Sequence, residues 1–271
     1  MQIVYQNSGV SMYNAGVILD AANKLNIPIH GVGIIPFTHE FVGAEGIDFT
    51  LPTFFYGSTR MAEIAARDYP NQGVWLNENF NVFNPKEEAR TQPLRDDFLN
   101  PYPMAIKFKD FKENTKVVNH YKSIAETGTP IFFRPSSSLK LFAGSVMTAK
   151  NADELIETIS DVAIVHPDEL VCISEYKDIW AEWRFFVVDG DVISGSQYKE
   201  SGRLDIRPAS RDICMVAQAF TRKWMPSNTC VIDLALTTDG IKVIEFNSVN
   251  ASGFYDTDAE KVLVALRELL T

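Results

Sequence analysis

The chain has 271 residues, 46% of them hydrophobic, which is enough to bury one large core or a few small ones that share interfaces. Its formal net charge is −10 with a pI near 4.9, a balance that opposes a protein whose affinity comes from neutralising nucleic-acid phosphates. The apolar runs are short and carry charges, so no bilayer span is expected, and residues 1–10 lack a basic stretch followed by an apolar block. The expected location is the cytoplasm.

In chain order, residues 3–5 read as a short strand, 14–25 as an amphipathic helix and 29–35 as a second strand broken at Pro36. A third strand at 53–56 leads to a helix capped by Ser58 and running through Arg67. This predicts a small open α/β domain over residues 1–83. Residues 84–103, with Pro85, Pro93, Pro101 and Pro103, read as a linker containing a short helix.

A second unit, 84–169 with its linker, is predicted to hold a helix at 116–126 and a turn at Gly128. A strand follows at 130–134, then a serine loop at 135–138, a strand at 140–148 and a helix at 152–159 capped by Asn151. A third unit, 170–271, begins with a strand at 170–175. It continues with a hairpin pairing 182–188 with 192–198 around Asp189-Gly190, and a helix at 212–224. A second hairpin pairs 230–236 with 242–246 around Asp239-Gly240, and a closing helix spans 256–270.

Cys172, Cys214 and Cys230 form no C-x-x-C pair, and His30, His39, His120 and His166 show no ligand spacing. The cysteines are therefore read as small buried apolar residues, and any metal is expected to be held by oxygen. The second hairpin offers such a set. Glu245 and Asn247 share a strand face by alternation, and pairing across the turn brings Asp233 to the same end, subject to any bulge that alters the register. Two carboxylates and a carboxamide suit Mg²⁺, although spacing alone leaves this level with a solvent-facing polar strand face.

Three further segments carry polar chemistry. Residues 131–144 place Arg134 at the end of an apolar strand, then three serines, Lys140 and Gly144, a set that suits polyphosphate or an exposed serine turn. Glu175 and Glu182 flank a connection near Trp180 and Trp183, where they suit adenine and ribose or simple solvation. Arg184, Lys199, Arg203, Arg207 and Arg211 concentrate cations in an acidic chain, and Arg184 within an apolar strand is the least comfortable as a solvated charge.

Taken in order, Phe132-Phe133-Arg134-Pro135, Lys140 and Gly144, Glu175-Tyr176, Glu182-Trp183-Arg184, Lys199, Asp233 and Glu245-Phe246-Asn247 resemble the ATP-grasp superfamily over residues 100–271. The resemblance implies two α+β subdomains that grip ATP, preceded by the small open α/β domain. It implies phosphate contacts from Arg134, Lys140, Lys199 and the candidate Lys107, with adenine at Glu175 and Tyr176 and ribose at Glu182. Two Mg²⁺ ions would be held by Asp233, Asn247 and a bridging Glu245. Arginine at 134, where a lysine is more common, resembles a phage and bacterial subgroup.

Many relatives carry an arginine where this chain has Val231, which leaves Arg184, Lys199, Arg203 and Arg207 as candidates for steadying the transferred group. The implied activity is ligation of a carboxylate, from a small molecule or a peptide, to an amine through an acyl phosphate. A nucleotide-binding regulatory module and a small-molecule kinase are the alternatives.

Overall fold

A computed structural model describes residues 1–7, 12–35, 40–76, 93–113, 123–124, 127–136, 144–148, 150–151, 154, 157 and 168–271. The chain separates into two compact units, one formed by Met1–Asn79 together with Ile179–Thr271 and one by Phe80–Asp178. Among the described residues no helix is long and apolar enough to cross a membrane.

In the first unit, strands β1 (Gln2–Gln6), β2 (Ile29–Ile34), β3 (Phe41–Val42) and β4 (Thr53–Tyr56) form a sheet in the order β3-β2-β1-β4. β1 pairs in parallel with both β2 and β4, as expected for strands joined by helices. Helix α1 (Met12–Lys24) ends where Asn26 turns left-handed at φ 52°. Helix α2 (Thr59–Asp68) starts at Ser58, whose hydroxyl accepts from the Met61 amide at 3.2 Å as the sequence predicts.

The same unit contains a five-stranded antiparallel sheet. Its strands are β9 (Ala181–Val188), β10 (Asp191–Glu200), β11 (Arg203–Pro208), β12 (Cys230–Thr237) and β13 (Gly240–Asn247), in the order β11-β10-β9-β12-β13. Helices α4 (Arg211–Lys223) and α5 (Ala259–Leu270) complete it. Both Asp-Gly hairpins form, by different turns. Asp189 and Gly190 are both left-handed, whereas in the second only Gly240 is, at φ 91°.

A single core joins the two sheets of this unit. Ile3, Phe54 and Tyr56 from the first pack with Phe186, Val188 and Val231 from the second and with Val262, Leu263 and Leu266 of α5. The Phe186 and Phe254 rings stack at 4.2 Å. Polar closure comes from Asn250, which is 1% exposed. Its amide nitrogen donates to the Phe55 and Gly73 carbonyls at 2.7 and 2.8 Å, and its oxygen accepts from the Trp75 amide at 2.8 Å.

In the second unit β5 (Met104–Lys107), β6 (Ile131–Pro135), β7 (Ser145–Met147) and β8 (Leu170–Glu175) form an antiparallel sheet in the order β5-β8-β6-β7, with a short helix α3 (Phe108–Glu113). The expected boundary at 169/170 falls just before β8, whose hydrogen bonds are with β5 and β6 of this unit. β5, just after the expected linker at 84–103, and β11 fall where the sequence reading assigned no element. The strand expected over 140–148 is described only at its end, as β7. The expected helices at 116–126 and 152–159 lie largely outside the described residues. Asn151 turns backward, accepting from the Thr148 amide at 2.7 Å and donating to the Val146 carbonyl at 2.9 Å.

All three cysteines are free, with Cys172 and Cys230 buried and Cys214 half-buried on α4. Burial pushes the Cys230 thiol up to about 12 and the Cys172 thiol up to about 11. Since the thiolate is the nucleophile, iodoacetamide at pH 8 is expected to label Cys214 first and the other two only after denaturation. Mass spectrometry of labelled native protein checks this, and early modification of Cys230 would contradict the packing. Asn250→Ala, which removes a partner from the Phe55 and Gly73 carbonyls and from the Trp75 amide, is expected to destabilise the first unit by about 3 kcal/mol in urea titration, against about 1 kcal/mol for the cap variant Ser58→Ala.

Candidate functional site

The site of the first unit grows from strand register. Arg184 on β9 lies opposite Asp233 on β12, which in turn lies opposite Glu245 on β13, so three charged residues form a row across the sheet. A bulge makes this row. Counted from the turn, where Thr237 opposes Gly240, Asp233 would meet Ile244. The register shifts after Leu234, leaving Ile244 as the extra residue and bringing Glu245 opposite Asp233. Without that shift Glu245 and Asn247 would face the other side of the sheet.

The side chains converge as the register requires. Arg184 grips Asp233 with two parallel bonds, Nε to Oδ1 at 2.8 Å and Nη2 to Oδ2 at 2.7 Å. The two side chains are 12% and 3% exposed. The Asn247 amide nitrogen donates to Asp233 Oδ2 at 3.2 Å and to Glu245 Oε1 at 3.3 Å. Both carboxylates therefore point at one place, and half a turn of the carboxamide would bring its oxygen to that place as well. Among the described residues no group of three or more His, Cys, Asp and Glu side chains is placed to hold a metal. The set available here is two carboxylates and one carboxamide, all hard oxygen donors, and it fits Mg²⁺.

Two tyrosines that the sequence reading did not single out frame the arginine. The guanidinium carbon lies 5.8 Å from the Tyr198 ring centre and 5.4 Å from that of Tyr255, and the two rings stack at 4.9 Å. Tyr255 holds a left-handed backbone, φ 52°. Tyr198 is the extra residue of a bulge in β10, and its hydroxyl donates to Glu182 Oε2 at 2.7 Å. Burial raises the Tyr198 phenol well above its ordinary value, so it stays a neutral donor. Lys199 donates to the other Glu182 oxygen at 3.1 Å. Burial is the largest single influence on Arg184 and opposes its charge, but the charge and hydrogen bonds of Asp233 together with Tyr255 and Tyr198 outweigh it and raise the pKa.

Arg203 and Arg207 are not part of this cluster. They lie opposite Glu200 and Gln197, which belong to the other face of the sheet, and Arg207 pairs with Glu200 at 2.8 Å and Asp205 at 3.1 Å. Arg211 opens α4 on the surface.

In the second unit Arg134 sits on β6 opposite Cys172, sharing its strand face with Phe132. A Cβ on Gly144 would come within 2.7 Å of the Phe132 ring, so this position tolerates only glycine without a shift. Lys107 ends β5 and bonds Asp168 at 3.1 Å, as does Lys109 at 3.0 Å. The two lysines lower the Asp168 carboxyl to about 2. Glu175 is exposed at the end of β8 and pairs with Lys177 at 2.7 Å, while the neighbouring Tyr176 amide donates to the Pro130 carbonyl. Lys140 lies outside the described residues.

Comparison with known proteins gives a concordant result. A family described as an ATP-grasp domain, the second family of its clade, matches residues 111–265. The fold is similar to that of D-cycloserine synthetase DcsG, with a TM-score of 0.63 and 13% identity over 100% of both chains. It is also similar to D-alanine–D-alanine ligase from Bacillus anthracis, with a TM-score of 0.57 and 14% identity over 99% of this chain and 96% of that one. ATP-grasp ligase PsnB, complexed with a phosphomimetic variant of minimal precursor, Mg and ADP, superposes with a TM-score of 0.55 and 15% identity over 100% and 99% of the two chains. No curated protein matches the sequence.

Removing one member of a buried ion pair strands the other, at a cost of about 3–5 kcal/mol. Arg184→Met is expected to destabilise the protein by that amount. The double variant Arg184→Met with Asp233→Leu is expected to recover most of the loss, as read by urea denaturation of the four members of the cycle.

Proposed function

The chain belongs to the ATP-grasp domain family, and from that premise we propose that it is an ATP- and Mg²⁺-dependent ligase joining a carboxylate to an amine. The observation that carries this reading is the convergence of Asp233, Glu245 and Asn247 on one buried spot beside Arg184. Hard oxygen donors next to an arginine suit phosphoryl transfer, which needs positioning and charge neutralisation more than a protein nucleophile.

Each residue then has a role. Asp233, Asn247 and Glu245 would hold Mg²⁺, Glu245 offering two carboxylate oxygens to it. When bound, the metal neutralises the phosphate oxygens of ATP and makes the terminal phosphoryl group susceptible to the substrate carboxylate. Arg184 and Lys199 steady the charge of the transferred group as the acyl phosphate forms. Glu182 is fixed by Tyr198 and Lys199, and so is oriented to accept hydrogen bonds from ribose hydroxyls. In the second unit Arg134 stands in for a phosphate-binding lysine, helped by Lys107 and Lys140, while Glu175 and Tyr176 meet adenine. The amine then displaces phosphate to leave an amide.

The acceptor is a small molecule or a peptide. D-alanine–D-alanine ligase acts on the first class, and a PsnB complex contains a precursor peptide. Incubation with ATP, Mg²⁺ and a panel of carboxylates and amines is expected to release ADP only when both partners are present. A stable phosphorylated product without an amine requirement would identify a kinase, and nucleotide binding without turnover would identify a regulatory module. Asn247→Ala is expected to lower kcat/KM on the order of 100-fold with the fold intact by circular dichroism.

A further inference from the structure

We propose that Arg184 is a built-in counter-ion for the metal site, which competes with divalent metal for Asp233 and turns to the transferred group only when Asp233 gives it up. The inference rests on the ligase reading of this site and adds a coupling to it. The geometry is direct. Arg184 occupies both oxygens of Asp233 in a bidentate pair, and Asn247 donates a third bond to Oδ2. Strand register holds Arg184 and Asp233 opposite each other, so neither drifts from the other by backbone motion alone.

Arg184 and Asn247 together occupy three of the roughly four acceptor positions of Asp233, so a divalent ion there would be crowded against the guanidinium and would place two cations on one carboxylate. Their mutual repulsion makes the two contacts antagonistic, and by linkage each weakens the other to the same degree. The released guanidinium has somewhere to remain. Tyr198 and Tyr255 lie within 6 Å of it, and its third nitrogen, Nη1, already reaches toward the Gly253 carbonyl at 3.5 Å. A cation held beside the metal, but no longer spent on Asp233, is placed to meet phosphoryl oxygens. The Arg184–Asp233 pair would then keep two carboxylates compensated in the resting protein and make full cationic strength conditional on metal occupancy.

Titration with Mn²⁺, followed by the EPR signal of the free ion, tests this on wild type, Arg184→Met and Arg184→Lys, first with Mn²⁺ alone and then with ADP. Arg184→Met is expected to bind Mn²⁺ on the order of tenfold more tightly than wild type, and Arg184→Lys, which keeps the charge but loses the fork, to fall between them. Unchanged or weaker binding by Arg184→Met, with wild type still binding Mn²⁺ and ADP, overturns the counter-ion role and leaves the ligase reading standing. No Mn²⁺ binding by any form, with or without ADP, overturns both.

Should Arg184→Met fail to fold, the wild type itself supplies the answer. The ¹⁵N Nε–H resonance of Arg184, assigned by its loss in Arg184→Lys, is expected to shift when saturating Mg²⁺ and ADP are added. No shift overturns the proposal.

Discussion

The Arg184–Asp233 ion pair sets the terms for the sheet around it. Two charges withdrawn from water in the middle of an antiparallel sheet are tolerable only if each is paired and hydrogen-bonded. The fold meets that demand with neighbours on every side: Asn247 against Asp233, two tyrosine rings against the guanidinium, and Glu182 fixed by Tyr198 and Lys199 one step along the strand. On this face of the sheet polarity is segregated. Toward one end lie Arg184, Asp233 and Glu245, and toward the other Phe186, Val188 and Val231 sink into the core shared with the N-terminal sheet. Chemistry and cohesion occupy adjacent rows of the same strands.

The end of β13 and the segment that follows it bind these two ends together. Within a few residues they supply Asn247 to the carboxylates, Asn250 to the backbone of the N-terminal sheet, the Gly253 carbonyl to Arg184, Phe254 to the core and Tyr255 to the guanidinium face. The left-handed Tyr255 is the local strain that this convergence entails. Such a segment makes the small α/β sheet a structural partner of the site instead of an appendage, since the Asn250 side chain ties Phe55 and Gly73 to the strand that ends in Asn247.

What the sequence revealed, and what it hid, follows from the range of the interactions. Both Asp-Gly hairpins and the Ser58 cap were legible because their chemistry is confined to neighbouring residues. β11 escaped because its alternation of Arg203, Asp205 and Arg207 with Leu204 and Ile206 spans only a few residues, so that the charges read as a solvated loop. β5 is short and directly follows Pro101 and Pro103, and the sheet to which β8 belongs is set by pairings distant in sequence. The facing of Arg207 away from Arg184 could not be read from spacing, because the bulge at Tyr198 resets the alternation of β10. Tyr255 and Asn250 looked like ordinary loop residues, and only tertiary packing gives them partners.

The bulge at Ile244 also constrains how the hairpin can vary, because side-chain facing in a hairpin is a matter of odd and even. Counting from the turn at Gly240, the chain reaches Glu245 with one residue too many, and that surplus turns two ligands toward Asp233. The hairpin tip can therefore lengthen or shorten by matched pairs of residues without disturbing the site, whereas a single deletion anywhere between the turn and Glu245 inverts it. Parity thus divides the insertions and deletions that natural variation can accumulate in this hairpin into those that are silent and those that erase the metal ligands while leaving composition and length nearly untouched.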